Sequence, residues 1–205
     1  MCASRFRSCA RERIRASDFR SAPSIGRVVR IVAGSRKGHR IDAPKGVVTR
    51  PTGDRVREAA FALVGPVDGA TVLDVFAGSG AMGLEALSRG AARCVFVERD
   101  RAACRVIDRN LQKLRLTGAV VLCQDAPRAL REERARAHRY DLVLVDAPYD
   151  DWKGYEVPLG ELLHDLLGTD GLAVVETSSR VEPELPLALV TTRRYGSARI
   201  TVFSR

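Results

Sequence analysis

Three short stretches of the chain combine residue types and spacings that suit chemistry. In the first, VLDVFAGSGAMG (Val72–Gly83), an apolar run leads through a glycine-rich turn, and Glu98 closes the next apolar run 20 residues after Gly78. Glycines at 78, 80 and 83 let a backbone approach a ligand closely, and a carboxylate ending the second strand accepts both hydroxyls of a ribose. Spacing alone suits a dinucleotide equally well, and Asp74 separates the two. It stands just before the loop, where a dinucleotide would place its pyrophosphate, and an anion there repels phosphate. S-adenosylmethionine instead brings a cationic sulfonium and a cationic ammonium, so an acid at this position favours it. Phe76 in the loop and Arg99 after Glu98 join Asp74, Gly78, Gly80 and Glu98 as expected cofactor contacts.

The second stretch, CQDA (Cys123–Ala126), offers Asp125 to an adenine amino group with Ala126 beside it. Asp125 also reads as a helix N-cap, and the two roles are compatible. The third, VLVDAPY (Val143–Tyr149), delivers an acid, a proline-stiffened turn and an aromatic ring from an apolar strand. An exocyclic amine is a poor nucleophile because its lone pair is delocalised into the ring. If Asp146 and a neighbouring carbonyl accept its two hydrogens, the lone pair is freed and aimed at a methyl donor. Pro148 holds the turn and Tyr149 can stack on a base drawn out of its helix. In isolation the same four residues also suit an Asp-initiated turn with a packing tyrosine.

The elements that must position these residues alternate. Strands are expected at 71–75, 93–98, 119–123 and 140–145, and helices at about 80–89, 101–115 and 126–136. That alternation implies a parallel sheet with helices on both faces. A helix at about 158–168, a strand at 171–176 and an antiparallel pair near 187–195 and 197–203 complete the pattern. Upstream, a basic hairpin is expected from Val28–Ala33 and His39–Asp42, followed by a helix with Val56, Ala60, Leu63 and Val64 on one face and Arg55 and Arg57 off it. Trp152 and Tyr155 fall in the expected loop after Tyr149, as part of a substrate lid or as packing. Three regions are expected: 1–26 a basic, disordered tail, 27–50 an RNA-contacting hairpin, and 51–205 the catalytic domain.

Charge is distributed unevenly. Residues 1–60 hold 15 Lys/Arg and 5 Asp/Glu, whereas the rest holds 19 and 20, so the whole excess of the net +9 is N-terminal. A near-neutral domain fed by a basic arm points to phosphate neutralisation, with Arg30, Arg36, Lys37, Arg40, Arg50 and Arg55 as expected RNA contacts. Met1–Ser24 also reads as a solvated tail or a transit peptide. No apolar run reaches membrane-spanning length and no secretory leader is evident, so a soluble, cytoplasmic, monomeric protein is expected. Cys2, Cys9, Cys94, Cys104 and Cys123 lack ligand spacing and read as reduced thiols, three of them within the apolar pattern. His39, His138 and His164 lie apart in the sequence, so no metal is expected.

With these motifs in view, the sequence from about Arg30 onward resembles the RsmD family of bacterial 16S rRNA guanine-N2 methyltransferases. The most specific pieces are RPTGDRVRE (Arg50–Glu58), DVFAGSGAMGLEALSR (Asp74–Arg89) and the segment around Asp146. The resemblance implies a class I S-adenosylmethionine-dependent methyltransferase, with a Rossmann-like α/β fold, a seven-stranded sheet and a small N-terminal hairpin. It also implies methylation of the N2 amine of a guanine in 16S rRNA within a small-subunit assembly intermediate. One departure stands out: the family pattern is Asp-Pro-Pro-Tyr or Asp-Pro-Pro-Phe, and here Ala147 replaces the first proline, which predicts a less preorganised loop and slower turnover. Alternatives from the residues themselves are methylation of adenine N6 or another planar amine, or a non-catalytic RNA-binding assembly factor. A nicotinamide dehydrogenase is disfavoured by Asp74.

Overall fold

The computed structural model describes residues 29–44, 53–149 and 151–205. Its framework is a seven-stranded sheet built from β3 (Thr71–Val75), β4 (Arg93–Glu98), β5 (Ala119–Cys123), β6 (Tyr140–Val145), β7 (Leu167–Ser178), β8 (Ala188–Tyr195) and β9 (Ala198–Ser204). The order is β5-β4-β3-β6-β7-β9-β8. The first five of these strands run parallel, and β9 enters antiparallel between β7 and β8. The central strands are near-continuous apolar runs because both faces are covered, as parallel sheets require. Side chains alternate between two cores: Val72, Cys94 and Leu142 point into one layer, and Leu73, Val95 and Val143 into the other.

The first layer holds α1 (Asp54–Val64), α2 (Ala81–Ser88) and α3 (Arg101–Leu114); the second holds α4 (Ala126–Ala135) and α5 (Trp152–Leu166). Tight packing explains one glycine directly. A Cβ at Gly83, in the first turn of α2, would sit 2.3 Å from Phe96 Cε1 and 2.7 Å from Cys94 Sγ, so only glycine lets this helix lie on β4. Cys94 and Cys104 are buried, whereas Cys123 is exposed.

Two sequence expectations change. Helix α5 begins at Trp152, six residues before the expected start, and Pro158 lies inside it. Pro158 removes one N–H donor from the helix, facing the carbonyl of exposed Gly154 one turn before it, where water can take the place of the missing bond. Trp152 therefore packs as a core residue at 2% exposure. The second change is Arg57, which is fully buried on α1 and not off its packed face.

The N-terminal hairpin is packed into the core of the main domain. Strands β1 (Val29–Arg30) and β2 (Arg40–Ile41) pair antiparallel around a 3-10 turn at Gly34–Arg36. Val29, Ile31 and Ile41 are buried in the same core as α1 and α2. Buried Glu85 of α2 accepts the backbone N–H groups of Val32 and Ala33 at 2.7 and 2.8 Å. The same carboxylate pairs with Arg57 at 3.5 Å and Arg89 at 2.8 Å. Arg57 also bonds Asp54 at 2.9 Å and the carbonyl of Arg30. A buried arginine is tolerated here because acceptors surround it; removal of Glu85 would take away its fully buried counter-charge, at about 3–5 kcal/mol. Gly34 completes the seat, since a Cβ there would fall 1.8 Å from the Ser88 carbonyl oxygen.

Candidate active site

The chain changes direction in the sheet between β3 and β6: β4 and β5 extend to one side of β3, β6 and β7 to the other. Ligands bind outside the carboxyl ends of strands at such a point, and here a cleft of about 510 Å³ opens there. Asp74, Phe76, Gly78, Glu98, Arg99, Asp125 and Ala126 line it, as do Asp146, Pro148 and Tyr149. The eleventh expected residue, Gly80, lies beneath as the N-cap of α2, in a left-handed conformation with φ 80°.

The glycine loop is held by bonds from its own acids. Asp74 Oδ2 accepts the N–H of Gly83 at 2.8 Å, satisfying a first-turn donor of α2 from outside the helix. Glu98 Oε2 accepts Gly78 N–H and Oε1 accepts Asp100 N–H, both at 2.8 Å. The Glu98 carboxylate is thus fixed in orientation while each oxygen keeps a lone pair for a ribose hydroxyl. Phe76 takes φ 63°, a conformation that strains a side-chain-bearing residue by about 1–3 kcal/mol and clusters at functional loops. Its ring meets Tyr155 edge-on at 4.7 Å, which brings α5 onto the loop.

Electrostatics concentrate on Asp74. Burial pushes its carboxyl up from 3.8 to about 7; the Gly83 N–H works against this, and the charges of Asp146 and Glu98 add to it. Such a group is a poor host for phosphate and a good one for a cation. Asp125 stands at the N-cap position of α4, as expected, but its side chain makes no capping bond there. Buried carboxylate, glycine backbone and strand-end acids are a donor set that fits S-adenosylmethionine.

At the other end of the cleft, the Tyr149 hydroxyl donates to Glu176 Oε1 at 3.0 Å. Glu176, 7% exposed, ends the apolar run of β7. It went unnoticed in the sequence although it carries the same mark as Asp74, Glu98 and Asp146, an acid at the carboxyl end of an apolar strand. Tyr155, expected in a loop, lines the cleft from α5. Val29 and Ala43 line it too, so both ends of the hairpin reach the cofactor region. Buried Asn110 ties the β2 end of the hairpin to the glycine loop: its amide bonds the backbone of Asp42 at 2.8 and 3.0 Å and the Ser79 carbonyl at 3.1 Å.

The expected RNA contacts divide. Lys37 and Arg40 are exposed on the hairpin and Arg55 on α1; Arg30 is exposed and 3.8 Å from Asp54. Arg36 differs, because its guanidinium turns inward onto the terminal carbonyls of α3 at Leu114 and Arg115. A cation at a helix C-terminus satisfies orphan acceptors there, so Arg36 serves the seat of the hairpin and not its outer face. Arg50 lies outside the described residues, as do the expectations for residues 1–26. Among the described residues no helix is long and apolar enough to cross a membrane, and no three metal-binding side chains converge.

Comparison with known proteins agrees with this architecture. A family model described as conserved hypothetical protein 95 matches residues 29–204. The Bacillus subtilis protein YlbH is 40% identical over 187 residues, covering 86% of this chain and 99% of that one. Ribosomal RNA small subunit methyltransferase D of Escherichia coli K12 is 37% identical over 159 residues, covering 77% and 78%. A solved Thermus structure, the hypothetical protein TTHA0928, superposes with a TM-score of 0.75 at 34% identity, covering 87% of this chain and all of that one. The sheet order, the hairpin seated on it and these matches together show that the chain belongs to the conserved hypothetical protein 95 family, the family of RsmD, with the class I methyltransferase fold.

Proposed function

We propose that this chain transfers the methyl group of S-adenosylmethionine to the N2 amine of a guanine in 16S rRNA, acting as a monomer on a small-subunit assembly intermediate in the cytoplasm. The observation that carries the reading is the junction of Asp146, Pro148 and Tyr149 with the Asp74–Glu98 cofactor loop in one cleft. The rRNA substrate draws on the relative in Escherichia coli and the named family; the amine chemistry draws on the geometry.

Asp74 and the loop backbone would hold the amino-acid end of the cofactor, Glu98 the ribose, and Asp125 the adenine. When bound, the cofactor supplies an electrophilic methyl. The work of the protein is to prepare the nucleophile. Asp146, backed by a carbonyl of the loop, accepts hydrogens of the amine and aligns its lone pair with that methyl. Tyr149 offers a face on which the base stacks, and its hydroxyl is held by Glu176, which fixes the ring. A base must leave its stack to reach this depth, which single-stranded or unpaired RNA permits at least expense.

The test is transfer of labelled methyl from S-adenosylmethionine to small subunits from cells lacking the endogenous enzyme, with mapping of the product. Label on one guanine amino group supports the reading. Label on an adenine, or binding of RNA without transfer, would replace it.

A further inference from the structure

The near-neutral charge of the chain beyond residue 60 hides one local excess. Residues 99–115 carry six Lys/Arg and two Asp, and most of these charges lie on α3. The helix turns Ala103, Val106, Ile107, Asn110 and Leu114 inward. Arg101, Arg105 and Arg109, spaced four apart, are exposed together on its other side. They form a column that rises about 6 Å per step along the helix axis. None of the three makes a hydrogen bond or ion pair with a described residue, whereas exposed Arg128 and Lys113 are held by Glu132 and Asp42.

Folding alone disfavours this arrangement. Like charges four residues apart repel on a helix surface, and Arg101 stands in the first turn, where the helix dipole favours an acid and α3 has none. Asp108 is the single acid of the helix and is exposed beside the column. A chain of negative charges laid along the column relieves the repulsion, and the two ends of α3 show which chain fits. At the N-terminal end, Arg99 and Asp100 line the cleft. At the C-terminal end, Lys113 pairs with Asp42 of the hairpin at 2.8 Å and Arg36 of the hairpin bonds the Leu114 carbonyl, with exposed Lys37 and Arg40 beyond. Resting on the reading of the chain as an rRNA methyltransferase, we propose that the exposed column of α3 is an RNA-binding surface in its own right, a track for the sugar-phosphate backbone that joins the hairpin to the cleft. Guanidinium groups bond phosphate oxygens in pairs, and such contacts fix register without reading sequence. The track thus positions the target nucleotide, and the choice of base stays in the cleft.

The test is the salt dependence of binding by the full-length protein to protein-free 16S rRNA and to small ribosomal subunits. Arg105→Gln/Arg109→Gln should lower the slope of log affinity against log salt by about 1.5, and affinity at low salt by about tenfold. Asp108→Asn, which removes the opposing charge, should raise affinity a few-fold. Arg128→Gln/Arg131→Gln removes the same charge from exposed positions on α4, in the other layer, and should leave the slope as it is. Wild-type S-adenosylmethionine affinity and an unlowered unfolding temperature in each variant are the measures of intact folding. An α3 variant that binds like the α4 control, or an Asp108→Asn variant without gain, would overturn the track. Loss of binding to subunits but not to protein-free rRNA would assign the surface to an acidic protein partner and overturn it equally. Methyl transfer is scored separately: altered slopes in a wild-type protein that methylates no RNA would support the track and overturn the catalytic reading.

Discussion

Asp74→Asn separates the needs of the fold from those of the cofactor. The substitution keeps an oxygen for the Gly83 N–H and removes the charge. Burial has moved the Asp74 carboxyl from 3.8 to about 7, and at about 1.4 kcal/mol for each tenfold change its ionisation opposes folding by about 4 kcal/mol well above pH 7. Because the folded value lies above the unfolded one, the folded chain keeps a proton between about pH 4 and 7 that the unfolded chain has lost. Stability from this group is therefore full below pH 4 and falls as pH rises to about 7. Thermal unfolding of wild type and Asp74→Asn across pH 4–8 should show the variant gaining on wild type as pH rises, to a few kcal/mol at pH 8. S-adenosylmethionine binding should move the opposite way. Wild-type affinity rises from pH 5 to about 7 and levels off, with proton release seen by calorimetry in buffers of different ionisation heat. The variant should bind more weakly without that dependence. Equal affinities with parallel pH profiles would refute the assignment of Asp74 as counter-charge to a cationic ligand.

Other perturbations reach the remaining parts. Asp146→Ala should reduce methyl transfer by about 10³-fold or more while S-adenosylmethionine affinity, measured by calorimetry, stays within a few-fold. Ala147→Pro should raise the single-turnover rate by stiffening the loop; Pro148 already restricts the residue before it, so the expected gain is only a few-fold, and an unchanged rate would count against preorganisation. Removing the exposed charges in Lys37→Ala/Arg40→Ala should weaken RNA binding and lower the salt-dependence slope by about 1–2. Arg36→Ala should instead lower the unfolding temperature and leave the slope as it is. Asn110→Ala should cost about 1–3 kcal/mol in chemical denaturation and weaken cofactor binding through Ser79.

The sequence made the central strands and the glycine loop legible because both are local: an apolar run and a turn declare themselves within a dozen residues. Strand bounds from β3 to β6 agree with expectation for the same reason. What escaped depends on partners far along the chain. Arg57 reads as a surface residue until Glu85 and the Arg30 carbonyl close around it. Arg36 reads as one more basic-arm charge until the end of α3 is beneath it. The insertion of β9 between β7 and β8 follows from pairing across the sheet, which no local pattern encodes. Glu176 was within reach, since its strand-end position repeats that of three recognised acids. Its significance appears only when Tyr149, 27 residues earlier, is placed against it.

The hairpin described above divides its residues by direction. Val29, Ile31 and Ile41 face inward and are pinned by the core, whereas Arg30 and Arg40, their immediate neighbours, face outward. Substitutions at exposed positions away from buried networks typically change stability by no more than about 0.5 kcal/mol. The outward register, proposed above as an expected RNA-contacting face, can thus exchange side chains while the inward register preserves the fold. A lineage can drift toward a different substrate context without first losing its fold. Removing the arm wholesale is a different matter: truncation through residue 45 takes those inward residues with it and opens the core. Adaptation of this protein is therefore expected to proceed by exchange of side chains on a retained hairpin, not by loss and replacement of the hairpin itself.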